Sequence, residues 1–209
     1  MTVTIKPLDI DGTETSVGYQ LHSDVKLPSK FSDGILLAIK DLEKIEASKN
    51  YDVVMSDWFV TSTITPAVCE VCLAGSVMHG TLGLDEKFIE TMRIDYPFDG
   101  EHWPEGRVMV TPDEFDDKDL ENKLEAFDSL RCGDISEALR KWYEKDPDVD
   151  ETKFDCEYIK ETFDENGYHM EWGSDTDWMS VYVEPYDEHA GKFKRDLREI
   201  ARIFATIGF

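Results

Sequence analysis

Thirty of the 46 acidic side chains in this 209-residue chain fall between residues 95 and 188, where only nine lysines and arginines accompany them. Those 94 residues carry a net charge of −21, and the other 115 together carry −3. A stretch so charged folds only if apolar positions recur often enough to offset the repulsion among its carboxylates. They do recur. Leu120, Leu124, Phe127 and Leu130 stand at three- and four-residue spacing, and so do Ile135, Ala138, Leu139 and Trp142. Each set predicts an amphipathic helix with apolar residues on one face and acids on the other.

The same spacing predicts further helices. Ile35, Leu36, Ile39, Leu42 and Ile45 give one over about 33–48. The run Ala67–Leu82 is apolar nearly all round and reads as a buried helix, with Gly75 and Gly80 permitting close packing. A short helix is expected over 85–93 and a loop over 94–112, punctuated by Pro97, Gly100, Pro104, Gly106 and Pro112. Thr111-Pro112-Asp113-Glu114 is a helix start, with a capping residue, a proline in the first turn and acids at the positive end of the dipole. That helix would end at Cys132-Gly133. Another is expected over about 151–164. A last one over 187–206 places Phe193, Leu197, Ile200 and Phe204 on one face.

Strand signals are fewer. Tyr168–Trp172 and Trp178–Val183 are aromatic, β-prone runs around a five-residue polar turn, which predicts a hairpin over about 168–183. Val53-Val54-Met55 looks extended, and residues 1–28 suit a strand or two around Asp11-Gly12. The fold class expected is α+β, mostly helical, with a C-terminal hairpin. The length suits one domain over 1–209. A subdivision into a helical part, 1–147, and a helix–hairpin–helix part, 148–209, fits the same pattern.

Composition narrows the function classes. The chain is 41% hydrophobic, with 11 Phe, 8 Tyr and 5 Trp, enough for a sizeable core and too much for intrinsic disorder. No apolar run approaches the roughly 20 residues of a membrane span. The N-terminus lacks the apolar core of a secretory signal. Four cysteines are too few for a disulfide scaffold, so a reducing, cytoplasmic setting is expected. A net charge of −24 repels free nucleic acid and anionic membranes.

Motifs for catalysis are weak. Cys69-x-x-Cys72, with Cys132 and Cys156, offers four thiols to zinc, but the second pair is split and the first lies in an apolar run. Core packing is the ordinary use of such cysteines. A metal-binding protein or metal-dependent enzyme using Cys69, Cys72 and His79 is the alternative, and a small structural or assembly protein that self-associates through the apolar run 67–82 is a second one. His79-Gly80-Thr81 has the spacing of a two-histidine phosphoesterase element, but His169-Met170-Glu171 lacks the matching hydroxyl. Asp146, Asp148, Asp150 and Glu157 have calcium-loop spacing, with Glu151 where the sharp turn needs glycine. There is no phosphate-binding glycine loop and no nucleophile elbow, so neither an enzyme nor a cofactor is expected.

The acidic segment is therefore the candidate site. Its expected partner-binding residues are Asp113, Glu114, Asp116, Asp117, Asp119, Glu121, Glu125, Asp128, Asp148, Asp150, Glu151, Asp175 and Asp177. Thirty carboxylates over half of a globule exposing roughly 10,000 Å² give one per roughly 170 Å². Duplex DNA carries one charge per roughly 110 Å² of its envelope. The expected partner is a basic, nucleic-acid-binding protein rather than nucleic acid or membrane.

One stretch resembles a known group. Trp58 followed by Cys69-Glu70-Val71-Cys72-Leu73-Ala74-Gly75-Ser76-Val77-Met78, with Leu130-Arg131-Cys132-Gly133-Asp134-Ile135 further on, is similar to uncharacterised proteins of tailed bacteriophages. It covers about the middle third of the chain. The resemblance implies a phage origin, and small acidic phage proteins commonly disable host defences such as CRISPR or restriction systems, some by imitating DNA.

Overall fold

A computed structural model of the chain describes residues 2–5, 17–20, 26–55, 59–62, 69–84, 107–109, 117–144, 154–173 and 178–209. These hold eight short strands and six helices, a mostly helical α+β fold. The chain forms two compact units. One comprises residues 1–26 and 40–117; the other comprises 27–39 and 118–209. Both sides of the 147/148 boundary therefore belong to one unit, and helix α1, Phe31–Glu46, contributes to both units.

In the first unit, β1 (Thr2–Ile5) and β2 (Val17–Gln20) pair antiparallel, as Thr2↔Gln20 through Ile5↔Val17. A second sheet has the order β3-β5-β4-β6, built from β3 (Tyr51–Val53), β4 (Phe59–Ser62), β5 (Cys69–Val71) and β6 (Arg107–Met109). β3 runs parallel to β5, and the other two pairs are antiparallel. Helix α2, Leu73–Gly80, follows β5 directly.

Two expectations change here. The apolar run 67–82 is not one helix. Its first part is the inner strand β5, hydrogen-bonded on both edges, and helix begins only after Cys72, whose backbone is extended (φ −91°, ψ −166°). An apolar run suits a buried strand as well as a buried helix, and the sheet decides between them. Arg107–Met109 is an edge strand inside what reads as a loop, hidden in the sequence by Pro104, Gly106 and Pro112. The expected helix over 85–93 and the helix start at 111–114 lie outside the described residues.

Asp41, at the end of α1 that belongs to this unit, is wholly buried. It accepts hydrogen bonds from Lys44 Nζ at 2.6 Å and from Thr81 Oγ1. The Asp41 carboxylate fills the space beside Gly80, where any Cβ would collide with it. This glycine thus answers a polar neighbour rather than an apolar one.

The second unit is helical around one aromatic cluster. It contains α3 (Lys118–Arg131), α4 (Ile135–Tyr143), α5 (Cys156–Glu165) and α6 (Tyr186–Ile207). The α6 run is broken at His189 (φ −150°, ψ 72°). Trp142 and Phe204 each lie 5.2 Å from Phe31, ring centre to ring centre; Phe127 flanks Trp142 at 5.4 Å and Phe163 flanks Phe204 at 5.2 Å. Tilted and edge-on rings at these distances are the favourable arrangements. The buried Trp142 indole donates Nε1–H to the Ser29 carbonyl at 3.3 Å. Of the predicted apolar faces, Leu124, Phe127 and Leu130 and Ile135, Ala138, Leu139 and Trp142 are buried, and Leu120 is partly buried.

The predicted hairpin is β7 (Met170–Trp172) and β8 (Met179–Val181), paired Met170↔Val181 through Trp172↔Met179. Its other edge meets the turn between α3 and α4. Val181 N–H donates to the Gly133 carbonyl at 2.9 Å, and Asp134 bridges to Ser180. Gly133 is left-handed (φ +78°), and a Cβ there would strike the Val181 carbonyl, so the contact demands glycine twice over.

Candidate partner-binding surface

The acids expected to bind a partner divide into two groups. Asp113, Glu114, Asp116, Asp148, Asp150, Glu151, Asp175 and Asp177 lie outside the described residues. The other five, Asp117, Asp119, Glu121, Glu125 and Asp128, lie on α3 or just before it. Four of these form ion pairs with lysines or arginines of α3 and α4. Lys123 takes Asp119 at 2.8 Å, Lys118 takes Glu121 at 2.5 Å, Arg131 takes Asp128 at 2.5 Å, and Lys141 of α4 takes Glu125. Glu121 is also largely buried, at 8% exposure. The α3 carboxylates therefore meet their cations at home, and the contribution they were expected to make to a bare negative face is reduced. For Asp119, Glu121 and Asp128 the cause is helical geometry, since cations three or four residues away reach the same face, and for Glu125 it is the neighbouring helix α4.

Helix α4 repeats the pattern. Arg140 bridges Glu137 at 2.6 Å and Glu144 at 2.7 Å. Its hydrogen bond to Glu137 holds that carboxyl below its ordinary value, against the opposing effect of burial. Asp134 caps the helix, accepting from Glu137 N–H at 3.1 Å, but burial outweighs the bond and pushes its carboxyl up.

Helix α5 differs. Ile159 and Phe163 face inward, and Glu157, Glu161 and Glu165 line the opposite side, all exposed. Among the described residues none of these three forms an ion pair, in contrast to Asp164, which takes Lys160. That hydrogen bond, together with one from Met170 N–H, lowers the Asp164 carboxyl. The next acids, Glu171, Asp187 and Glu188, are also exposed and free of ion pairs among the described residues.

Aromatics are exposed in the same segment. Among the described residues the exposed large hydrophobic side chains are Leu36, Tyr158, Trp172, Trp178 and Tyr182, four of which lie within 158–182. Scattered single apolar residues on a surface mean little; a concentration beside unpaired charge is a feature of interaction sites. Tyr182, 71% exposed, has its hydroxyl pushed up by Glu184, with further contributions from Glu188 and Asp196. The cations of the basic stretch 192–202 are used internally: Lys192 meets Glu184 at 3.5 Å, Arg195 meets Asp196 at 3.1 Å and Arg202 meets Glu199 at 2.8 Å.

Cys72 is buried just before α2, Cys132 is exposed and Cys156 is partly exposed; the Cys69 side chain lies outside the described residues. The His79 ring packs edge-on to Tyr51 at 4.4 Å. Among the described residues no group of three or more His, Cys, Asp or Glu is arranged to hold a metal. Nor, among them, is any helix long and apolar enough to cross a membrane.

No protein-family model, curated protein or solved structure matches the chain.

Counting acids points to the run from Asp113 to Asp128, which holds eight of the thirteen expected residues. The residues it overlooks are Glu157, Glu161, Glu165, Glu171, Trp178 and Tyr182. A signal was present: between Glu171 and Glu188 the sequence has six acids and no lysine or arginine.

Proposed function

We propose that this protein is an acidic, non-enzymatic inhibitor of the phage anti-defence type, acting in the host cytoplasm. It would bind a basic, nucleic-acid-handling host protein and exclude that partner's nucleic acid. One observation carries the reading: the outer face of α5 holds Glu157, Glu161 and Glu165 exposed and, among the described residues, without an ion pair, in a chain of net charge −24. Carboxylates four residues apart repeat every ~6 Å along a helix. One strand of B-DNA sets a phosphate every ~3.4 Å of axis, so the helix offers about half the linear charge of a strand. A basic groove releases its bound anions to such a face as it does to DNA.

The test is competition. The protein is titrated into complexes of DNA with cationic bacterial proteins, including a nuclease, a CRISPR surveillance complex and a repressor. Displacement of DNA from at least one, weakening steeply between 50 and 200 mM salt, supports the reading. The Glu157→Gln, Glu161→Gln, Glu165→Gln triple variant should lower both the affinity and the salt slope. Absence of salt-sensitive binding to every cationic protein tried would overturn it.

A further inference from the structure

The hairpin has two unlike faces. Met170, Met179 and Val181 are buried, and cross-strand register places Trp172 on their side. Alternation puts Glu171, Ser180 and Tyr182 on the other side. The ladder continues one step past the strands, with Gly173 N–H donating to the Trp178 carbonyl at 3.0 Å. Trp178 thus joins the outer side, and its indole lies over Gly173, where any Cβ would collide with it. Along this face Trp178 and Tyr182 stand four residues apart, roughly 13 Å. Glu171, paired opposite Ser180, sits between them.

Neither ring is consumed by the fold: Trp178 is 44% exposed and Tyr182 is 71% exposed. The indole is nevertheless held in place by its seat on the glycine. From Glu171 to Glu188 the sequence has six acids and no lysine or arginine, and the next lysine, Lys192, is held by Glu184, which also accepts a hydrogen bond from the Tyr182 hydroxyl. Single-stranded nucleic acid also stacks on aromatic rings, but its phosphates would meet this field unfavourably. A planar cation satisfies both features, since arginine stacks on aromatic faces and pairs with carboxylates where lysine is a compact, strongly hydrated charge.

We propose that the outer face of the β7–β8 hairpin, formed by Glu171, Trp178 and Tyr182, docks an extended segment of a protein partner that carries arginines. Guanidinium groups four residues apart on that segment would cover the two rings, with Glu171 available to a donor between them. This deepens the reading of the protein as an acidic inhibitor and rests on it for the cationic character of the partner.

The probes are two synthetic peptides of equal length and charge, one with arginine and one with lysine at every fourth position. Binding to the full chain is measured by titration calorimetry at 150 mM salt. The arginine peptide should bind more tightly. Tyr182→Ser should weaken it about three-fold, and Trp178→Ala with Tyr182→Ser about ten-fold, with the lysine peptide changed less than two-fold. Trp172→Ala, on the opposite face, should change neither. Because Trp178 seats on Gly173, the single Tyr182→Ser variant keeps the test valid if the double variant loosens the hairpin. Unchanged arginine binding in the Tyr182→Ser variant overturns this inference while salt-sensitive binding of both peptides leaves the inhibitor reading standing. Failure of the wild-type chain to bind either peptide overturns the inference, and failure against whole cationic proteins as well overturns the inhibitor reading. Dimerisation of the chain through the aromatic face, seen as a mass that halves on Tyr182→Ser, also overturns it.

Discussion

The Trp142 indole occupies the space into which a side chain on Gly34 would project. Trp142 is 1% exposed and held by Phe31, Phe127 and the Ser29 carbonyl, so it has no room to yield. Gly34→Ala adds about 1 kcal/mol of helix propensity but overpacks the cluster at a cost of about 1–3 kcal/mol. The clash should win. A lower midpoint of urea denaturation at unchanged slope is the expected result; a higher midpoint would mean the cluster repacks freely.

Removing the buried carboxylate of Asp41 leaves Thr81 Oγ1 and Lys44 Nζ without their acceptor. Lys44 is half exposed and turns to water, so the loss is dominated by the hydroxyl and the void. Asp41→Ala should destabilise the chain by about 1–3 kcal/mol. Asp41→Asn, which keeps the volume and one acceptor oxygen, should cost less. Thermal denaturation of the two variants checks the order.

The two carboxylates at the start of α4 respond oppositely to pH. Arg140 lowers Glu137 from its usual 4.5, so its contribution to stability is present above that pH and fades as pH falls through the lowered value. Burial raises Asp134 from 3.8, so its ionisation in the folded state costs stability, a cost that is relieved as pH falls. Glu137→Gln should therefore lose less than about 1 kcal/mol at pH 7 and flatten the acid limb below about pH 4.5. Asp134→Asn preserves the cap and should leave stability at pH 7 equal or higher. Denaturation at several pH values separates the two.

Charge removal should have different consequences on α3 and α5. Glu125→Gln breaks the link to Lys141 between helices and should cost up to about 1 kcal/mol. The α5 triple variant Glu157→Gln, Glu161→Gln, Glu165→Gln breaks no ion pair among the described residues and should leave stability unchanged or slightly raised, because it removes like-charge repulsion at four-residue spacing. Parallel urea titrations, repeated at 1 M salt where both effects shrink, test the contrast.

Several elements are legible in the amino-acid sequence. The helix expected over 33–48 is found at Phe31–Glu46, that over 187–206 at Tyr186–Ile207, and the hairpin around the 173–177 turn at Met170–Val181. Apolar spacing at three and four residues, or at two, is a local property, and it names the buried face of an element wherever that element sits. The strand inside the apolar run at Cys69–Val71 and the edge strand at Arg107–Met109 were not legible, because their existence depends on hydrogen bonds to β4 from distant parts of the chain.

The same division governs the charge. Sequence alone determined that acids concentrate in the second half of the chain and that cations are too few to match them. Which carboxylates keep a cation was a tertiary decision: Glu125 meets Lys141 only because α3 and α4 pack side by side, and Glu171 stands between Trp178 and Tyr182 only because β7 and β8 pair in this register. Charge number is additive along a chain, but screening and exposure depend on distances that folding alone sets.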